Sequence, residues 1–106
     1  MAELLQVTTT LPSQEQAAAL ARALVEQRLA ACGQVVGPMT SVYWWRGEVA
    51  SDQEWLLVLK TTADGYAALE AAIRAQHPYE VPEILATRVS QASAAYAAWV
   101  GAETTG

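Results

Sequence analysis

Residues Met39 to Thr62, MTSVYWWRGEVASDQEWLLVLKTT, decide the fold. Thr40 to Trp45 is β-branched and aromatic, Arg46-Gly47-Glu48 supplies a tight turn, and Trp55 to Thr62 returns as a second extended run, so the segment reads as a long hairpin. A strand in a sheet covered on one side alternates apolar and polar residues. Val42-Tyr43-Trp44-Trp45 and Trp55-Leu56-Leu57-Val58-Leu59 are instead apolar on both faces. The second face needs a cover of its own.

Upstream, Val35-Val36 is extended and Gly37-Pro38 interrupts the ladder as a bulge or bend. Leu4 to Thr10 alternates as a strand that Leu11-Pro12 ends. Ser13 with Gln16 forms a capping box. The helix behind it places Ala17, Leu20, Ala21, Leu24 and Val25 on one face and is predicted to stop near Cys32-Gly33. Downstream, Asp64 is predicted to cap a helix through Gln76, whose apolar face carries Tyr66, Leu69, Ala72 and Ile73. His77-Pro78 ends that helix, and with Val81-Pro82 it predicts a stiff extended connection over His77 to Pro82. Ile84 to Val89 is a fourth strand, and the tail from Ser90 a short helix. The order βαββαβ plus a terminal helix is the α+β, ferredoxin-like arrangement, one antiparallel sheet with two helices on one face.

With 106 residues, 53% hydrophobic and 16% charged, the chain (1–106) is a single globular domain. Its six Lys and Arg are scattered through a chain of net charge −5, which excludes a phosphate-tracking stripe and so a nucleic-acid partner. No run approaches a membrane span, and Met1 to Thr10 lacks the charged and apolar regions of a signal peptide. One cysteine, Cys32, excludes an internal disulfide framework and fits a reducing, cytoplasmic compartment. The economical cover for the second sheet face is another copy of the chain, with Tyr43, Trp44, Trp45 and Trp55 in the interface. The competing cover is the tail helix with Tyr96 and Trp99.

His77, the only histidine, stands between a helix end and Pro78-Tyr79-Glu80. A neutral imidazole there can ligate a metal, or bond the last helix carbonyls. Cys32 reads as a small buried hydrophobe at the end of a helix or, if exposed, as a copper ligand, with Arg28 one helical turn away. Lys60, in an otherwise apolar strand, must be paired or line a cleft, unless its ammonium reaches solvent at the strand end. Glu80 and Glu83 are its best candidate partners. Thr8, Thr9 and Thr10 can hydrogen-bond a ligand or the following turn. With one histidine there is no nucleophile, base and acid to assemble, so the chain does not read as an enzyme.

Arg28-Leu29-Ala30-Ala31-Cys32, Thr40 to Trp45 with Gly47, Leu59-Lys60-Thr61-Thr62 and His77-Pro78-Tyr79-Glu80-Val81-Pro82-Glu83-Ile84 together resemble the CutA family of divalent-cation tolerance proteins, over residues 4 to 100. The resemblance implies a ferredoxin-like subunit in a tight homotrimer, related in architecture to PII signalling proteins, and located in the cytoplasm. It implies tolerance to copper and other divalent metals, with no required cofactor. Thr9 and Gln76 stand where some relatives carry a cysteine and a histidine, which leaves His77 and Cys32 as the metal candidates and a divalent cation held weakly. Two other classes compete with this reading. One is a PII-like regulatory module taking a small anionic ligand in a cleft between subunits near Lys60, Tyr79, Glu80 and Glu83. The other is a structural scaffold with no ligand.

Overall fold

Alternation of side chains along Leu4–Leu11 (β1) buries Leu5, Val7 and Leu11 on one face of a sheet. In the computed structural model, which describes residues 3–104, β1 is followed by α1 (Gln14–Glu26), β2 (Cys32–Trp45) and β3 (Glu48–Thr62). A single 3₁₀ turn (Ala63–Gly65), α2 (Tyr66–Gln76), β4 (Leu85–Arg88) and α3 (Ala94–Glu103) complete the chain. The readings that touch Met1, Ala2, Thr105 and Gly106 lie outside the described residues. The four strands form one antiparallel sheet in the order β2-β3-β1-β4, the predicted ferredoxin-like topology. The core lies between one sheet face, carrying Val7, Leu57 and Leu59, and the helical residues Leu20, Leu24, Leu69 and Ile73.

Four boundaries depart from the sequence reading. Helix α1 ends at Glu26, not near Cys32. Arg28 adopts φ 63°, its N–H donates to Val25 O and that of Leu29 to Leu24 O, a Schellman closure with arginine in the place glycine usually takes. Cys32 is therefore the first residue of a strand and not the end of a helix. Asp64 caps nothing, because a 3₁₀ turn precedes α2 and neither terminus there has a side-chain cap. His77 is extended as expected, with ψ 139°, but residues 78–81 bend instead of running straight. The fourth strand is shorter than Ile84 to Val89, covering Leu85–Arg88.

The hairpin is as read. Arg46 and Gly47 both take positive φ at its tip, and the β2–β3 register shifts between Val36 and Met39. At that shift Gly37 lies against Trp55, so closely that a Cβ would sit 2.5 Å from Trp55 Cδ1. Trp55 pairs with Leu11 at the end of β1. Beyond it Glu48–Glu54 project about 23 Å past the four-stranded sheet, at about 3.3 Å per residue.

The second sheet face has only a partial cover. Leu4, Ala31, Ala97 and Val100 form a small cluster under α3 at one end. Val36 and Leu85 remain 56% and 59% exposed, and on the hairpin Val42, Trp44 and Trp45 are 66%, 75% and 59% exposed. Tyr43 is exposed as well, whereas Trp55 is half-buried and packs on the main core. No described helix is long and apolar enough to cross a membrane.

Candidate functional site

The end of α2 delivers His77 to the end of β1, because Pro78 forbids another helical residue and forces His77 into an extended conformation. The backbone N–H of Tyr79 donates to His77 Nδ1 at 3.1 Å, which fixes that nitrogen as an acceptor and places the ring proton on Nε2. Nε2 then donates to Thr10 O at 2.9 Å and shares its proton with Thr9 Oγ1 at 3.0 Å. Burial lowers the His77 pKa below the usual histidine value, against smaller raising effects of the Thr10 carbonyl and the Glu54 carboxylate. The imidazole is thus neutral near pH 7 with both nitrogens engaged.

Tyr79 carries the network onto the hairpin. Its ring lies 4.9 Å from that of His77, and its hydroxyl donates to Glu54 Oε2 at 2.8 Å. Burial, then the Glu54 hydrogen bond, raises its phenol well above the usual value. Further along the hairpin the Tyr43 hydroxyl donates to Asp52, and that bond raises the Tyr43 phenol. The Glu54 and Asp52 carboxylates are therefore each occupied by a phenol. Glu80 and Glu83 are exposed.

Lys60 lies elsewhere. In the register it pairs with Gln6 on one side and Cys32 on the other, about 13 Å along β1 from Thr10, at about 3.3 Å per residue. Its ammonium donates to Gln34 Oε1 at 2.8 Å, and among the described residues it has no ion pair with Glu80, Glu83 or any other carboxylate. The expected pairing is replaced by an amide because the residues 78–81 bend turns toward Glu54, not Lys60. Cys32 is half-exposed and faces Tyr96, with Sγ 3.6 Å from the phenol oxygen, and that contact raises the Tyr96 phenol. Arg28 does not face the thiol; its guanidinium binds Glu103 at 2.7 Å.

Within one chain the structure therefore joins His77 to Tyr79 and separates both from Cys32 and Lys60. Among the described residues no three His, Cys, Asp or Glu side chains are grouped to hold a metal ion. The donor set of a single chain does not fit a tight metal centre. Sequence reasoning missed Glu54 and Gln34, whose roles depend on strand register. Thr9 and Thr10 were flagged as hydrogen-bonding residues, and their partner is His77.

Comparison with known proteins bears on the whole of this architecture. Residues 5–103 match the family described as CutA1 divalent ion tolerance protein. The divalent-cation tolerance protein CutA of Thermus thermophilus is 47% identical over 94 residues, covering 89% of this chain and 91% of that one. Human protein CutA is 42% identical over 91 residues, which cover 86% of this chain and 51% of its own, so the chain spans about half the length of that relative. The solved Thermus thermophilus structure superposes with TM-score 0.93 at 44% identity, over 96% of this chain and 99% of that one. The CutA1 structure from Oryza sativa gives TM-score 0.95 at 35% identity, over 98% and 95%. The fold, its projecting hairpin and the match across nearly the full chain make this protein a member of the CutA1 divalent ion tolerance family.

Proposed function

We propose that this chain acts in divalent-cation tolerance, the role its Thermus relative is named for, as a cytoplasmic homotrimer. The carrying observation is the apolar surface that one chain leaves bare: Val36 and Leu85 on the sheet, and Val42, Trp44 and Trp45 on the hairpin. The solvent-accessible area, 6639 Å², exceeds by about 900 Å² the ~5,700 Å² typical of a compact monomer of this mass. An excess of this kind is surface carried by a projecting element, which association can cover. Tyr43, Trp44 and Trp45 supply its aromatic part, with Trp55 bracing the hairpin base.

Copper or another divalent cation is contacted weakly in this reading, with no resident cofactor. His77, with the exposed carboxylates of Glu80 and Glu83 following it in the sequence, is the proposed contact region, and Cys32 is a separate thiol. His77 offers Nδ1 to a metal only by releasing the Tyr79 N–H, which keeps affinity low. The proposed role is binding and not catalysis. Calorimetric titration of Cu²⁺ into the wild type, His77→Ala and Cys32→Ser tests the metal part. Weak heats that fall in either variant are expected; identical isotherms in all three remove both residues from metal contact.

A further inference from the structure

We propose that α3 of one copy is the seat for the hairpin of the next copy, with the hairpin face around Trp44 packed on the outer side of α3 around Trp99. Helix α3 is apolar on every side. Ala97 and Val100 pack inward with Leu4 and Ala31, and its exposed positions are Ala94, Ala95, Tyr96, Ala98, Trp99 and Ala102. Its one charged residue, Glu103, is bound by Arg28 at 2.7 Å. Helix α1, by contrast, turns Gln14, Glu15, Arg22 and Glu26 to solvent. A helix with one polar side suits a surface, and a helix apolar all round is one that is covered all round. Tyr96 and Trp99, with ring centroids 5.6 Å apart, stand 41% and 42% exposed in a single chain, so the outer cover is not supplied from within it.

The hairpin offers a matching surface. Its ladder pairs Thr40 with Gln53, Val42 with Ser51 and Trp44 with Val49, and strand alternation puts these side chains on one face, none of them charged. The opposite face carries Glu48, Asp52 and Glu54, with Tyr43 bonded to Asp52. In a chain of net charge −5, the uncharged hairpin face and the outer side of α3 are two surfaces that can come together without desolvating a charge. They cannot meet within one chain. Tyr96 touches Cys32, which pairs with Lys60, whereas Trp44 pairs with Val49, and about 36 Å of β3 separates Val49 from Lys60 at about 3.3 Å per residue. The occupant is therefore a second copy held head to tail. Each chain gives its hairpin to one neighbour and its α3 to the other, the kind of contact that closes a ring.

This pairing rests on the trimer reading and adds to it which two surfaces meet. Cross-linking with a short bismaleimide tests it in a full-length Cys32→Ser background that carries Val49→Cys on the hairpin and Ala98→Cys on α3, both exposed positions. The double variant is expected to give covalently joined dimers and trimers on a denaturing gel, and each single-cysteine variant only monomers. In parallel, Ala98→Glu puts a good helix former at an exposed helical position, so helix content by circular dichroism should be kept. Sedimentation at micromolar concentration is expected to find at least about tenfold less trimer for it than for the wild type, because the contact would bury a carboxylate without a partner. Trimers that persist in the double variant without cross-links, or in Ala98→Glu at the wild-type level, overturn the pairing, leave the trimer standing and free α3 for a different occupant. Cross-links in a single-cysteine variant overturn it in favour of like surfaces meeting. A wild type that sediments as a folded monomer removes the trimer reading and this pairing together.

Discussion

His77 ties three parts of the chain together through two nitrogens, and its neutral form is the one that fits. Protonation would make Nδ1 a donor facing the Tyr79 N–H, two donors with no acceptor between them. Because burial lowers its folded pKa, the unfolded chain binds the extra proton first as pH falls below about 6.5, the ordinary histidine value. The stability contributed by neutral His77 is therefore fully present above that pH and is lost as pH drops toward the lowered value. Urea midpoints at pH 7.5 and 5.0 check the sign: His77→Ala should lie below wild type at 7.5, and the gap should narrow at 5.0. A gap that widens with acid would mean the charged imidazole is the stabilising form. At neutral pH the loss is about 1–2 kcal/mol, the scale of leaving a partly buried carbonyl, Thr10 O, without its donor. The Tyr79→Phe change removes the bond to Glu54 and should cost about 1 kcal/mol in the same assay. The position of His77 at a helix end was legible, because proline restricts its predecessor locally. Its partners were not, since Thr9 and Thr10 meet it only through long-range packing.

Elements defined by short-range rules were the most legible ones. Ser13 does accept from the Gln16 N–H at 3.1 Å, and Pro78 does end α2. The end of α1 was misplaced because the closing residue is Arg28, whose positive φ has no sequence signal of the kind Gly33 offers as the second residue of β2. Asp64 was misread because a 3₁₀ turn and a capped helix start share the same acidic signature. The hairpin shows the opposite case, in which a local cue proved to have a long-range reason. Gly37 was read as a break in the ladder, and the structure adds that Trp55 occupies the space of its missing side chain. Gly37→Ala should therefore push the Trp55 ring off the core edge and destabilise the chain by about 1–3 kcal/mol, the range for overpacking. Chemical denaturation followed by tryptophan emission measures this. A midpoint within error of wild type would show that the indole has room to move.

The whole molecule is longer than its mass calls for. Its radius of gyration is 14.3 Å and its longest extent 45 Å, against about 13 Å for the radius of a compact chain of this length. A two-stranded ribbon projecting into water is at best marginally stable by itself, yet this one carries Trp44 at 75% exposure and Val42 at 66%. Contact with further copies, as in the proposed trimer, would account for both the shape and the exposure, since aromatic side chains are the usual energetic centres of such interfaces. Replacing Trp44 by glutamate changes a side chain that touches little within one chain, so secondary structure is retained. In the proposed assembly it would remove about 2 kcal/mol or more per copy, a central-contact value, and the loss would multiply over the subunits. Sedimentation equilibrium at micromolar concentration should then find trimers for the wild type and folded monomers for Trp44→Glu. The reversal Arg22→Glu, on the exposed outer face of α1, should leave the trimer intact. If wild-type protein sediments as a folded monomer, or if Trp44→Glu still forms the trimer, the ribbon is not the surface that holds the copies together.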